Sequence, residues 1–519
     1  MAASSAAPGL VAAGHPAVAE AAAAVLAAGG NAYDAAIAAG FAGAVAEPGL
    51  TSLAGGGFLL ARTAAGEEVL FDFFVDTPGR GLPDADRRPR FEPVDVRFPA
   101  AVQRFHCGLG SVAVPGTLAG YLHVHRRLGR LPLEALVAPA ARLAADGVAL
   151  PPRQAAVVAL LEPILRHTPA VEAIFAPNGR MLGAGDTIRN PELATFLARL
   201  ATSPDGGLTA GSDGDRLVEA MADGGGLVTA DDLAAYRVVE REPLATTYRG
   251  RRVLTNPPPS FGGRLLALAL DWLEETGPPS PFGSPDAAAT LVEVMAEVDR
   301  RRDAEEEPGS QPPRPRSIRG TTHVSVADAE GNVAAMSTSN GECSGDMWPG
   351  TGILLNNMLG EDDLHPGGFH AAPPGVRVAS MMSPTVVLDA GGAASLVLGS
   401  GGSKRIRTAI LQVLSAVVDG GLDVDAAVQA PRLHWDGDHT ELEPGFRPAV
   451  AERLARYGPV VPWPDRDLFF GGVHAVAPAQ GAAGDPRRDG AARRVEGASV
   501  SGTSVTGAGG SRRPPPPPR

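Results

Sequence analysis

A chain of 519 residues with a net charge of −13, 44% hydrophobic and 20% charged residues has the balance of a soluble globular protein, long enough for one large core or two to three ordinary ones. No run approaches the roughly 20 apolar residues that cross a bilayer. The acidic balance opposes polyanion binding, because the Arg clusters near 311–319 and 511–513 are short and set in proline. Membranes and nucleic acids are therefore not expected partners. The amino terminus lacks a cationic start ahead of its Ala-rich run, which leads us to expect a mature cytoplasmic protein. Cys107 and Cys343 alone define no disulfide framework.

Residues 16–28 and 33–46 are Ala-rich with few breakers and predict two helices divided at Gly29-Gly30. Gly55-Gly56-Gly57 then leads into two strand-like runs, GFLLAR and EEVLFDF. Helical patterns return at 117–128, 132–146, 187–200, 215–223 and 285–302. The stretch 303–319, DAEEEPGSQPPRPRSIR, predicts a mobile, accessible linker, since its charge and proline preclude a packed element. TTHVSVADAEGNVAAMSTS follows at once, alternating apolar and polar residues about an Ala329-Glu330-Gly331-Asn332 turn, which predicts a β-hairpin with one buried face. Further strands are expected at 384–389 and 394–399, then a helix from Ser403 to about Val418, so that the second part of the chain holds the central sheet. From 497 to 519 the Gly, Ser, Arg and Pro content predicts a disordered tail.

The segment GTTHVSVADAEGNVAAMSTSNGECSGDMWPGTGILLNNMLGEDD at 320–363 resembles the signature region of gamma-glutamyltransferases, N-terminal-nucleophile hydrolases. Supporting matches include GNAYDAAIAAGFAGAVAEP near the start, MSPTVVLD at 382–389, GSGGSKRI at 399–406 and GGVHAV at 471–476. The resemblance spans residues 10 to about 490. It implies an α+β fold, a four-layer αββα sandwich of two stacked antiparallel sheets. It also implies a precursor that cuts itself between Gly320 and Thr321 into a large piece, 1–320, and a small piece, 321–519, which interlock in one domain. The processed pair is compatible with a homodimer.

An amino-terminal threonine joins a hydroxyl nucleophile to an α-amine whose reference pKa of about 7.7–8.0 lets it accept the hydroxyl proton. Thr321 would supply both. Before cleavage the same hydroxyl attacks the Gly320 carbonyl. By resemblance, the amides of Gly401 and Gly402 form the oxyanion hole, and Ser339 assists the nucleophile through a hydrogen bond. Glu342 and Glu361 fall where the family places polar or acidic groups that hold a substrate ammonium, with Asn340 a further neighbour. Ser380 matches one of two serines that contact the substrate carboxylate, but Met381 stands where the second would be. Phe74 occupies the position of an arginine that clamps that carboxylate. Losing that clamp removes roughly 1.5–3 kcal/mol of binding.

Three readings follow. The first is a transferase or hydrolase of gamma-glutamyl compounds such as glutathione, passing its acyl group to water or an amino acid. The second is an acylase of the same fold acting on a less charged amide, and the third a scaffold without turnover. His323 either shapes the pocket or packs within its strand, Cys343 either lines the site or fills space, and Arg405 holds structure near the glycine loop. His106, His123 and His125 show no metal-ligand spacing, so neither metal nor cofactor is expected.

Overall fold

The computed structural model describes residues 7–98, 101–203, 211–277, 279–305, 320–361 and 368–496. Two antiparallel sheets form its centre. The first has seven strands in the order Ala491–Val495, Gly9–Ala13, Thr322–Ala327, Val333–Ser339, Gly56–Arg62, Glu68–Asp72 and Val239–Arg241. The second has six, Gly481–Ala483, Gly472–Ala477, Ala394–Gly401, Thr385–Leu388, Arg251–Thr255 and Leu244–Tyr248. Each sheet draws strands from both sides of position 320, so the expectation that the second part holds the central sheet is corrected: the two parts share it.

Residue alternation assigns the faces, because successive side chains of a strand point to opposite sides. Val11, Ala13, Leu59, Val324, Val326, Ala334 and Met336 pack outward against helices that include Ala32–Ala46. Leu10, Ala12, Phe58, Leu60, Ala327, Val333 and Ala335 point inward, in one apolar cluster with Val386, Val397, Leu398 and Val473 of the second sheet. Leu266, Leu270, Ile410 and Leu414, on the helices Phe261–Glu275 and Arg405–Val418, continue that cluster beyond the second sheet. This is the αββα order. It confirms the expected fold class.

Small side chains allow the tight layering. Every residue of Ala32–Ala46 is buried, and the helix starts at a capping box in which Asn31 Oδ1 accepts from the Asp34 amide while Asp34 Oδ2 accepts from the Asn31 amide at 3.1 Å. The predicted hairpin is present in register, with Ala327 opposite Val333 and Thr322 opposite Thr338. The helix expected over 285–302 runs on as Pro285–Glu305, three residues into the expected linker. The rest of that linker and the expected tail lie outside the described residues. The helix expected at 187–200 begins later, at Pro191, where Asn190 caps it through its Oδ1. No helix among the described residues is long and apolar enough to cross a membrane.

Candidate active site

Thr321 stands immediately before the Thr322–Ala327 strand at the mouth of the gap between the sheets and is 4% exposed. Strand parity turns Thr321, His323 and Ser325 toward the second sheet and Thr322 toward the helices. The junction with Gly320 is held from several sides. Ser339 Oγ donates to the Gly320 carbonyl and accepts from the Gly341 amide at 3.1 Å. The Gly320 amide donates to Glu342 Oε1 at 3.1 Å.

Thr321 opens onto a small cavity of about 30 Å³ lined by Phe74, Ser339, Met358, Glu361, Ser380, Met381, Met382, Ser403 and Ile406. Thus Thr321, Ser339, Phe74, Glu361, Ser380 and Met381, scattered through the sequence, meet around one space. Asn340, Glu342, Gly401 and Gly402 are not in its lining. Asn340 is buried and ties loops together, its Nδ2 donating to the Leu355 carbonyl at 3.2 Å and its amide to that of Leu50 at 3.2 Å. Glu342 faces Gly320. Gly401 packs on the backbone of Thr321, where a Cβ would lie 2.0 Å from the Thr321 carbonyl oxygen. Gly402, at φ 121°, turns the chain from strand toward the helix Arg405–Val418.

Phe74, Met358, Met381, Met382 and Ile406 make up the apolar half of the walls. Phe74 is 1% exposed and stacks on Phe58 with ring centroids 5.5 Å apart. An arginine does lie behind it, but Arg377 donates to the Phe74 carbonyl at 2.7 Å and pairs with Asp72 at 2.9 Å and Asp76 at 2.8 Å. Its guanidinium therefore braces the strand end. Ser380 Oγ accepts from the Met382 amide at 3.1 Å, which fixes the Met381 turn.

Beneath Thr321 lies a group of residues that sequence reasoning missed. Arg488 Nη1 donates to the Thr321 carbonyl at 3.1 Å, and Thr322 Oγ1 donates to both carboxylate oxygens of Glu47 at 3.0 and 3.1 Å. Glu47 is wholly buried, and that desolvation pushes its carboxyl up to about 7 against the opposing pull of Thr322 and the Arg488 charge. Burial likewise holds the Arg488 guanidinium below its ordinary range. Glu47 falls within the AVAEP match, yet no local pattern tells a carboxylate that it will be buried against Thr322, 275 positions away, and under the charge of Arg488, 441 positions away.

His323 resolves to the packing reading. It is fully buried, bonded through Nδ1 to Ser337 Oγ at 2.8 Å and through Nε2 to Ser325 Oγ at 3.0 Å, and its ring lies against Gly399 of the second sheet. Burial holds its pKa well below the ordinary histidine value. Cys343 fills space, with its thiol pushed up to about 12 by burial. Arg405 donates to the Phe469 carbonyl at 3.0 Å and covers that ring, beside the glycine loop as expected.

Two features lie apart from this site. A cavity of about 450 Å³ within the helices outside the second sheet is lined by residues such as Leu273, Phe282, Leu291 and Phe446, none of them neighbours of Thr321. Asp436, His439 and Glu441 bring ligand-type atoms within 4.8 Å of one another, on a separate small sheet where His439 Nε2 and Glu441 Oε1 already bond at 3.0 Å.

A family model for gamma-glutamyltranspeptidase matches residues 18–309 and 297–495. The chain belongs to the gamma-glutamyltranspeptidase family. It is an N-terminal-nucleophile enzyme of the amide hydrolase and acyltransferase class, a class whose precursors process themselves into two subunits. Within the family it is similar to the acylase ACY 1 proenzyme of Pseudomonas sp. strain SE83, 33% identical over 90% of this chain and 89% of that protein. It is also similar to the glutathione hydrolase proenzyme of Escherichia coli strain K12, 32% identical over 84% of this chain and 82% of that one. The crystal structure of a cephalosporin acylase from Bacillus halodurans superposes with a TM-score of 0.79 at 27% identity, covering 94% of this chain and 96% of the other.

Proposed function

We propose that this family member is a self-cleaving acylase that hydrolyses an amide whose acyl part is apolar or weakly charged, with Thr321 as nucleophile. The observation that carries the reading is Phe74. Where a glutamyl site needs a cation for the substrate carboxylate, this cavity presents an aromatic ring locked on Phe58, with Met358, Met381, Met382 and Ile406 around it. A carboxylate brought there would lose its hydration with no guanidinium to replace it. An apolar acyl group would instead gain about 25 cal/mol per Å² of surface removed from water. The acylase relatives support this reading over the glutathione one.

Maturation begins when Thr321 Oγ adds to the Gly320 carbonyl carbon, the C–N bond breaks, and the proton released from the hydroxyl ends on the new amine. Water then hydrolyses the Gly320 ester, leaving pieces 1–320 and 321–519. In turnover the freed Thr321 amine accepts the hydroxyl proton as Oγ attacks the substrate amide. The amine product departs with that proton, and water releases the acyl group as its acid. The amides of Gly401 and Gly402 serve the developing oxyanion. The Ser339 hydroxyl, released from the Gly320 carbonyl, turns to the nucleophile, while Glu361 and Ser380 bond any polar group the acyl chain carries.

A denaturing gel with amino-terminal sequencing of the smaller band tests the first half: threonine from position 321 is expected, and a persistent full-length chain would sink it. A panel of anilides tests the second half. Hexanoyl and phenylacetyl anilides are expected to exceed gamma-glutamyl anilide in kcat/KM by at least about tenfold, the low end of one charge-assisted bond. Preference for the glutamyl anilide would return the chain to the glutathione reading.

A further inference from the structure

Gly320 sits in a slot that admits no side chain. A Cβ there would lie 2.1 Å from the Gly341 carbonyl oxygen and 2.7 Å from that of Gly49, both backbone atoms with no rotamer to swing aside. Glycine fits, but glycine is also the residue with the widest backbone freedom. A carbonyl that must face an attacking hydroxyl therefore has to be oriented by its surroundings.

The surroundings grip the residue at both ends. Ser339 Oγ donates to the carbonyl, and Glu342 Oε1 accepts from the amide at 3.1 Å. Glu342 is 2% exposed and lies outside the lining of the cavity, so its carboxylate does not face the substrate space. Its own position is secured, since its amide donates to Asn357 Oδ1 at 2.8 Å and the preceding Gly341 takes φ 63°. A carboxylate that only capped its own turn would bond an amide of its own loop. Glu342 instead reaches an amide 22 residues earlier in the chain.

The geometry points to Glu342 as a positioning residue for self-cleavage: its carboxylate holds the Gly320 amide while Ser339 holds the carbonyl, presenting the scissile bond to Thr321. This rests on the self-cleavage reading given above. Glu342 makes and breaks no covalent bond and transfers no proton in the step; it removes rotational freedom from the one residue whose orientation sets the rate.

The test is a pulse of cell-free translation of the full chain followed by a chase, reading the fraction cut on a denaturing gel. Glu342→Ala is expected to slow cutting by about a hundredfold, the upper range for a bond to a charged group. Glu342→Gln keeps a carbonyl acceptor at the same reach and is expected to recover most of that loss, remaining about tenfold slow. Thermal melting of each precursor accompanies the rates, with the native transition expected in both. Cutting of Glu342→Ala at the unaltered rate would overturn the clamp. So would equal slowing of both variants together with a lowered melting temperature, because the carboxylate would then serve the fold. If the unaltered chain is itself never cut between Gly320 and Thr321, the self-cleavage reading fails instead.

Discussion

Gly401→Ala is the smallest change that presses directly on the backbone of Thr321. The added Cβ would stand 2.0 Å from the Thr321 carbonyl oxygen and 3.2 Å from Arg488 Nη2. A carbon and an oxygen settle at roughly 3.3 Å, so the two strands must part by about 1 Å at this point. Nothing flexible is available to yield, since the clashing atom is backbone and is already bonded to Arg488 at 3.1 Å. Overpacking of this kind costs about 1–3 kcal/mol of stability, and moving a catalytic group by about 1 Å costs on the order of a hundredfold in rate. The expected result is a folded protein that melts several degrees lower, with self-cleavage and anilide turnover each reduced by about two orders of magnitude. Stopped-time gels and initial rates on the mature fraction measure the two separately. Unchanged cleavage and turnover in a folded Gly401→Ala protein would refute the claim that the Gly401 contact sets the position of Thr321.

Ser339→Ala removes the hydroxyl that bonds the Gly320 carbonyl; cleavage in a chase experiment is expected to slow by about a hundredfold, as for one lost oxyanion donor. Phe74→Arg exchanges a stacked ring for a buried charge, so a loss on the order of 3 kcal/mol by chemical denaturation is expected, with poorer turnover of apolar acyl anilides. Glu47→Gln tests the buried carboxyl. Its folded pKa of about 7 lies above the ordinary 4.5, so between those values the native state keeps a proton that the unfolded chain has lost, and wild-type stability falls as pH rises. The variant lacks that titration. Its melting temperature relative to wild type should climb from pH 4.5 to pH 7 and level off above, and a difference that stays flat across that window would contradict the assignment.

The parts of the fold that were legible in advance are those whose signal is local. Alanine-rich runs with Gly-Gly stops marked the first two helices, and period-two alternation about Gly331-Asn332 marked the hairpin that carries Thr321. Less legible were the helix Phe261–Glu275 and the hairpin of Glu92–Phe98 with Ala101–Cys107. The first opens with two glycines after a proline-rich turn. The second does alternate, Val94, Val96 and Phe98 with Asp95 and Arg97, but Pro93 within the run weakens its strand signal.

The sequence alone determined which groups the chemistry has to work with: a threonine preceded by a glycine, a hydroxyl eighteen residues later, and a phenylalanine at position 74. Those are properties of residue type and order, carried by any conformation of the chain. Only the tertiary structure decided that Glu47 and Arg488 lie beneath Thr321 and that Glu342 turns to Gly320. Such partnerships form because strands distant in sequence stack into one sandwich. Removing these charges from water then makes each depend on whichever neighbour the packing supplies.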